Sequence, residues 1–257
     1  MKKFFLKLRK SIFKKFGLQV MPIENKSLSY LFPGATDFEI NLVELCAKFS
    51  MTSHERLFCL VRAIQHIENN NLEGDFVECG VWKGGNLILF QKMIEQLKIK
   101  NRKIYGFDTF EGMSEPTDAD SDVGGYKAEY YMKSQKKDIN IDNIHAYAPI
   151  DLVENNFANN TEDKGNLILV KGKVEETLRL AKNVPKKISV LRLDTDWYES
   201  TKIELELLYP RLVKNGVLII DDHGEWLGSR KATDEYFKNK KKAMFRIDRA
   251  ARLFFKP

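Results

Sequence analysis

The sequence predicts an α/β protein: a mostly parallel sheet with a C-terminal antiparallel hairpin, preceded by a helical N-terminal cap. Three observations predict it. From Asp75 onward, five short apolar runs alternate with helical patterns, which is how a parallel sheet covered on both faces is encoded. Several of those runs end in glycines or carboxylates, at the strand ends where open α/β sheets bind ligands. The last two runs, AMFRID (243–248) and RLFFK (252–256), are separated by a short turn and read as a hairpin.

The elements follow in order. Residues 1–17 carry seven Lys/Arg and no acid; setting these against the net charge of +6 leaves the rest of the chain at −1. The basic character is therefore a local tail and not a field for nucleic acid. On a helix, Phe5, Leu8, Ile12 and Phe16 share one face, with Lys3, Lys7, Lys10 and Lys14 opposite. Two readings stay open: a helix on an anionic membrane surface, or a terminal helix docked on this chain or a second subunit. Gln19 to Thr36, with Pro22, Pro33 and Gly34, reads as a linker. Phe38–Phe49 and Ser53–Asn69 are helical, the second opened by a capping box of Thr52 and Glu55. The strands are 75–81, 103–108, 166–172, 189–194 and 216–221. The helices between and after them are 86–97, 151–159, 175–182, 200–213 and 229–239. We expect a tail at 1–18, a linker and cap at 19–70, and one domain at 71–257 with a lid insertion at about 109–150. No apolar run approaches the roughly 20 residues of a membrane-spanning helix. Three cysteines, Cys46, Cys59 and Cys79, lie in apolar segments without metal-like spacing. They read as reduced thiols of a cytoplasmic protein, with the tail a candidate contact to the inner face of the membrane.

The segment GDFVECGVWKGGN (74–86) is a strand, a glycine turn and a helix start. Gly80, Gly84 and Gly85 let the backbone approach a ligand, although such turns also serve as plain tight connections. Glu78 opposes a pyrophosphate, and the spacing departs from G-x-G-x-x-G. A ligand without phosphates fits better. Asp108 ends the second strand, where an acid grips ribose hydroxyls or caps a turn. S-adenosylmethionine has the ribose, lacks phosphate, and carries a sulfonium that tolerates carboxylates.

These segments, with YGFDTFEGM (105–113), LRLDTDWYEST (191–201), LLYPRL (207–212) and IIDDHG (219–224), resemble the macrocin O-methyltransferase family over residues 38 to 250. The resemblance implies a class I methyltransferase Rossmann-like fold and metal-assisted methylation of a sugar hydroxyl. MTSHER (51–56) is similar to the segment that closes over the cofactor. The 27-residue interval from Asp194 to Asp221 is similar to that between the family's catalytic aspartate and its Asp pair. Two departures are Thr195 for the glycine of Asp-Gly-Asp, and His223 for an aromatic residue. We take the cofactor set as Met51, Thr52, Glu78, Gly80, Gly84, Gly85, Asn86, Asp108, Thr109 and Gly172.

A sugar hydroxyl is a poor nucleophile at neutral pH. A divalent cation lowers its pKa and a carboxylate takes its proton. Asp194, Asp221 and Asp222 are assigned to Mg²⁺, a hard cation that prefers oxygen, with Asp194 also the base. Capping of the next turn is the bland alternative for the Asp pair. Asp196 is a further ligand, or it caps the helix near Ser200 or fixes the turn. His223 is placed with the catalytic residues, as an auxiliary base or acceptor contact, or else it orients an aspartate. Trp82, Trp197 and Tyr198 lie where aromatics stack on a sugar, or pack the core. DADSDVGGYKAE (118–129) has acids at positions 1, 3, 5 and 12 of a calcium loop, but Val123 at position 6, where that loop needs glycine. It reads better as a mobile lid over the acceptor. The expected protein is an S-adenosylmethionine- and Mg²⁺-dependent O-methyltransferase with a small-molecule or glycan acceptor, no nucleic acid, and a homo-oligomeric assembly. The alternatives are an NAD-dependent oxidoreductase on a similar sheet and a non-catalytic membrane-associated scaffold.

Overall fold

The computed structural model describes residues 28–240 and 243–257, so the basic tail lies outside the described residues. The chain divides into two units at Thr36–Asp37. In the first, Leu28–Leu31 (α1) is a single helical turn within the stretch read as linker.

The second unit opens with α2 (Asp37–Cys46) and α3 (His54–Asn69). α3 buries Leu57, Leu60, Val61, Ile64 and Ile67, the i, i+3, i+4 stripe of an amphipathic helix. Its cap differs from the expected one. Ser53, and not Thr52, accepts the hydrogen bond from Arg56 N, at 3.3 Å. The chain then alternates: β1 (Asp75–Cys79), α4 (Gly85–Leu97), β2 (Ile104–Asp108), α5 (Ala128–Ser134), α6 (Ile150–Asn160), β3 (Leu167–Lys171), α7 (Val174–Thr177), β4 (Ile188–Leu193), α8 (Tyr198–Leu207), β5 (Leu212–Ile220), α9 (Leu227–Phe237), β6 (Met244–Arg246) and β7 (Arg252–Phe255). The helix expected over 175–182 ends at Thr177. Leu180 is extended, and only a short 3₁₀ turn, Ala181–Asn183, follows.

The seven strands run in the order β3-β2-β1-β4-β5-β7-β6. All pairs are parallel except those of β7, which runs antiparallel to both β5 and β6. The hairpin thus contributes the one reversed strand. The order reverses between β1 and β4, and that switch point is where a crevice opens at the carboxyl ends. Side chains alternate across the sheet. Val77, Cys79, Leu191, Leu193, Leu218 and Ile220 pack in one core cluster with α7, α8 and α9 residues. Phe76, Glu78, Val190 and Arg192 take the opposite face. There Phe76 stacks on Phe90 of α4, centroids 5.0 Å apart. The three cysteines are free. Among the described residues no helix is long and apolar enough to cross a membrane.

Candidate active site

Register assembles the site. Cys79 pairs with Leu193 and Leu193 with Ile220, so the next residues, Gly80, Asp194 and Asp221, line up along the sheet edge. Asp194 N donates to Cys79 O and Asp221 N to Leu193 O, both at 2.9 Å. Gly80 has φ 83°, and a Cβ there would lie 1.9 Å from Asp194 O. Only glycine lets the two loops approach so closely. A cavity of about 280 Å³ opens above this row. Met51, Thr52, Gly80, Asp108, Thr109, Gly172, Asp194, Asp196, Asp221 and Asp222 line it, with Trp82 and Arg56.

Four members of the expected cofactor set, Glu78, Gly84, Gly85 and Asn86, are not in the lining. A Cβ on Gly85 would meet Cys46 O at 2.6 Å, so this glycine lets the start of α4 pack against the end of α2. Glu78 and Asn86 are buried behind the wall, joined by an Asn86 Nδ2 bond to Glu78 Oε1 of 2.7 Å. Glu78 Oε2, Asn86 Oδ1 and Trp82 Nε1 are buried without a protein partner. Asp108 serves the turn itself: Oδ2 accepts from Val81 N (2.7 Å) and Trp82 N (3.1 Å), Oδ1 from Phe110 N (2.7 Å). Burial raises its pKa against those donors.

One ligand oxygen from each of Asp194, Asp221 and Asp222 lies within 4.8 Å of the others. Two guanidiniums face them. Arg192, on β4 and 1 % exposed, is held by four short bonds. Nη1 donates to Glu78 Oε1 and Asp194 Oδ2, both at 2.7 Å. Nη2 donates to Thr52 Oγ1 at 2.7 Å and Asp221 Oδ1 at 2.6 Å. Arg56 of α3 pairs with Asp221 Oδ2, and its Nε donates to Asp248 at 2.7 Å. Burial opposes the charge on both arginines, but the surrounding carboxylates outweigh it and raise their pKa values.

The acids are pushed up as well, toward their neutral forms. Burial lifts Glu78 to about 8 and Asp221 to about 6, against the pull of Arg192. Burial also lifts Asp196 to about 7, although a hydrogen bond from Asp222 favours its charged form. Asp222 goes well above the usual range through burial and the charges of Asp196, Asp194 and Asp221. Six carboxylates, Asp248 included, thus crowd around two guanidiniums, and Asp222 Oδ2 is buried with no partner. A hard dication fits that donor set, because it supplies the missing positive charge to oxygens alone. Asp196 turns to Asp222 and does not cap a helix. The first amide of α8, Tyr198 N, donates instead to Asp120 Oδ1 at 2.8 Å.

His223 is not in the cavity lining. Its Nε2 lies 3.3 Å from Asp234 on α9, and burial lowers its pKa. Trp197 and Trp226 pack edge to face, centroids 5.0 Å apart, and Trp197 Nε1 donates to Ser114 O at 2.9 Å. The acids of the calcium-like run diverge. Asp120 caps α8, Asp122 accepts from Gly124 N, Tyr126 N and Tyr131 Oη, and Asp118 is exposed beside Lys127. Arg56 and Arg192 are the residues the sequence reading passed over. Arg192 had a signal, a charge inside the apolar run of a central strand, which must find partners.

A sheet of this order with a glycine turn and an acid cluster at its switch point is the architecture of class I O-methyltransferases. It superposes on the O-methyltransferase NovP with a TM-score of 0.70 at 26% identity, covering 81% of this chain and 82% of that one. The calicheamicin methyltransferase CalS11 shares the fold, with a TM-score of 0.56 at 19% identity over 87% of this chain and 93% of that one. The profile of the family described as Macrocin-O-methyltransferase (TylF) matches residues 45–256, and the chain belongs to that family. It is 30% identical over 189 residues, 73% of its length, to demethyldecarbamoylnovobiocin O-methyltransferase of Streptomyces niveus. It is 26% identical over 174 residues, 68% of its length, to mycinamicin III 3''-O-methyltransferase of Micromonospora griseorubida. The matched segment spans 67% and 65% of those relatives.

Proposed function

We propose that the chain is an S-adenosylmethionine- and Mg²⁺-dependent O-methyltransferase. Its acceptor is a sugar hydroxyl, in a glycan, a nucleotide-linked sugar or a glycosylated natural product. The observation that carries this is the convergence of Asp194, Asp221 and Asp222 within 4.8 Å, beside a cavity walled by the glycine turn and Met51–Thr52. The relatives named for methylation of novobiocin and mycinamicin intermediates support the acceptor class.

Asp194, Asp221 and Asp222 would hold Mg²⁺, which would lower the pKa of the acceptor hydroxyl, and S-adenosylmethionine would supply the methyl group. The protein's own groups do the rest. Gly80 and Gly172 leave backbone room for the cofactor, and Met51 and Thr52 cover it. Asp194 accepts the hydroxyl proton at Oδ1, since Oδ2 already accepts from Arg192. In-line transfer needs the acceptor held, and Met113, Ser114, Asn143 and Ile144 face the cavity from the lid. His223, turned toward Asp234, is given no part in proton transfer.

The test is Asp194→Asn. Methyl transfer to a sugar acceptor should fall by about 10²–10⁴-fold, the range for a lost general base, with S-adenosylhomocysteine affinity kept. Turnover at the parent rate would overturn the assignment.

A further inference from the structure

Arg192 is not in the lining of the cavity above the sheet edge, yet its guanidinium touches both halves of the site. On the cofactor side, Nη1 meets Glu78 Oε1, which also accepts from Asn86, and Nη2 meets Thr52 Oγ1. On the ion side, the same two nitrogens meet Asp194 Oδ2 and Asp221 Oδ1. Each nitrogen therefore carries one bond to each half. The guanidinium is a rigid plane, so whatever orders one pair of acceptors orders the other. A lysine ammonium at this position is a single point charge and cannot span four acceptors in this way.

From this geometry we propose that Arg192 is a positioning residue that couples cofactor binding to divalent-cation binding. The inference rests on the two-ligand reading above. A cofactor seated against Thr52, which lines the cavity, also fixes the plane of Arg192. Asp194 and Asp221 are then held in place before the cation arrives, and the ordering cost is met once for both ligands. By linkage the effect is reciprocal: the cation tightens the cofactor by the same factor.

The experiment uses the full chain, with Mn²⁺ as the probe. Free Mn²⁺ is followed by electron paramagnetic resonance, with and without saturating S-adenosylhomocysteine. That ligand lacks the sulfonium charge, so it adds no sulfonium repulsion of the cation. In the parent protein it should tighten Mn²⁺ at least fivefold. In Arg192→Lys the factor should fall toward one, with both ligands weakened. Thr52→Val provides a second arm that keeps the guanidinium and all the acids. It removes one cofactor-side partner and should also lower the factor, and it carries the test alone if the lysine variant does not fold. Full coupling in the variants overturns the proposal, as does Mn²⁺ binding in the parent that ignores S-adenosylhomocysteine. Failure of the parent to bind Mn²⁺ at all overturns the metal reading first, and this proposal with it.

Discussion

At the residue scale, this site is organised by buried charge that must be balanced locally. Glu78 and Arg192 are register partners on β1 and β4, so their side chains share a face and meet at 2.7 Å. Removing one partner of such a buried pair costs about 3–5 kcal/mol. A second buried acid lies on the other face. Glu204 is fully buried, accepts from Thr195 Oγ1 at 3.0 Å, and leaves Oε2 without a partner. Burial raises its pKa well above the carboxylate range, despite the Thr195 and Cys79 hydrogen bonds. The folded state therefore holds a proton that the unfolded chain releases above about pH 4.3. Stability is fully present below that pH and falls as pH rises toward the folded value. Glu204→Gln should remove the loss. At pH 8 its melting temperature should exceed the parent's by about 2–4 °C per kcal/mol recovered, and at pH 4 the two should coincide. Calorimetric scans at both pH values check this.

At the element scale, the lid is the informative piece. The sequence between Thr109 and Ala148 shows no period, because its order comes from tertiary bonds and not from its own pattern. Asp120 is the pin. Its Oδ1 accepts from the α8 amide of Tyr198 and its Oδ2 from Thr117 N at 2.7 Å. A Cβ on Gly228, in α9, would lie 2.0 Å from Asp120 Oδ1, so Gly228 is small to admit it. Val123 N donates to Glu225 O, and Leu227 N to Ser121 O, stitching the lid to the loop after β5. Asp120→Ala should cost about 1–2 kcal/mol, as for a lost helix cap. It should also speed proteolysis within 114–128 and raise the acceptor KM. S-adenosylhomocysteine affinity should stay within twofold, because Met51, Thr52, Gly80, Asp108 and Gly172 of the cavity wall lie outside 114–128.

At the scale of the whole molecule, the switch between β1 and β4 sets one ligand crevice for the unit 37–257. A ligand that binds only the folded state stabilises it by about 2.7 kcal/mol at a hundred times its Kd, which for this size is about 5–10 °C. S-adenosylhomocysteine should produce that shift and NAD⁺ none. The opposite result would favour an oxidoreductase on the same sheet.

Much of this was legible in the sequence. The strand–helix alternation, the reversed strand and the convergence of Asp194 with the Asp pair follow from local periodicity and from the fixed register of parallel strands. So does the position of Gly80 beside them. What only the tertiary structure decided is which partner each polar group finds. Asp108 is spent on backbone amides, Thr52 on Arg192 rather than on its helix, and His223 on Asp234. Arg192 reaches four acceptors from four separate segments. Periodicity along the chain records which face a side chain takes, because that depends on neighbours one or two turns away. A hydrogen-bond partner on another element leaves no such trace, whether 11 residues away like Asp234 from His223 or 140 like Thr52 from Arg192, and only the folded chain brings the two together.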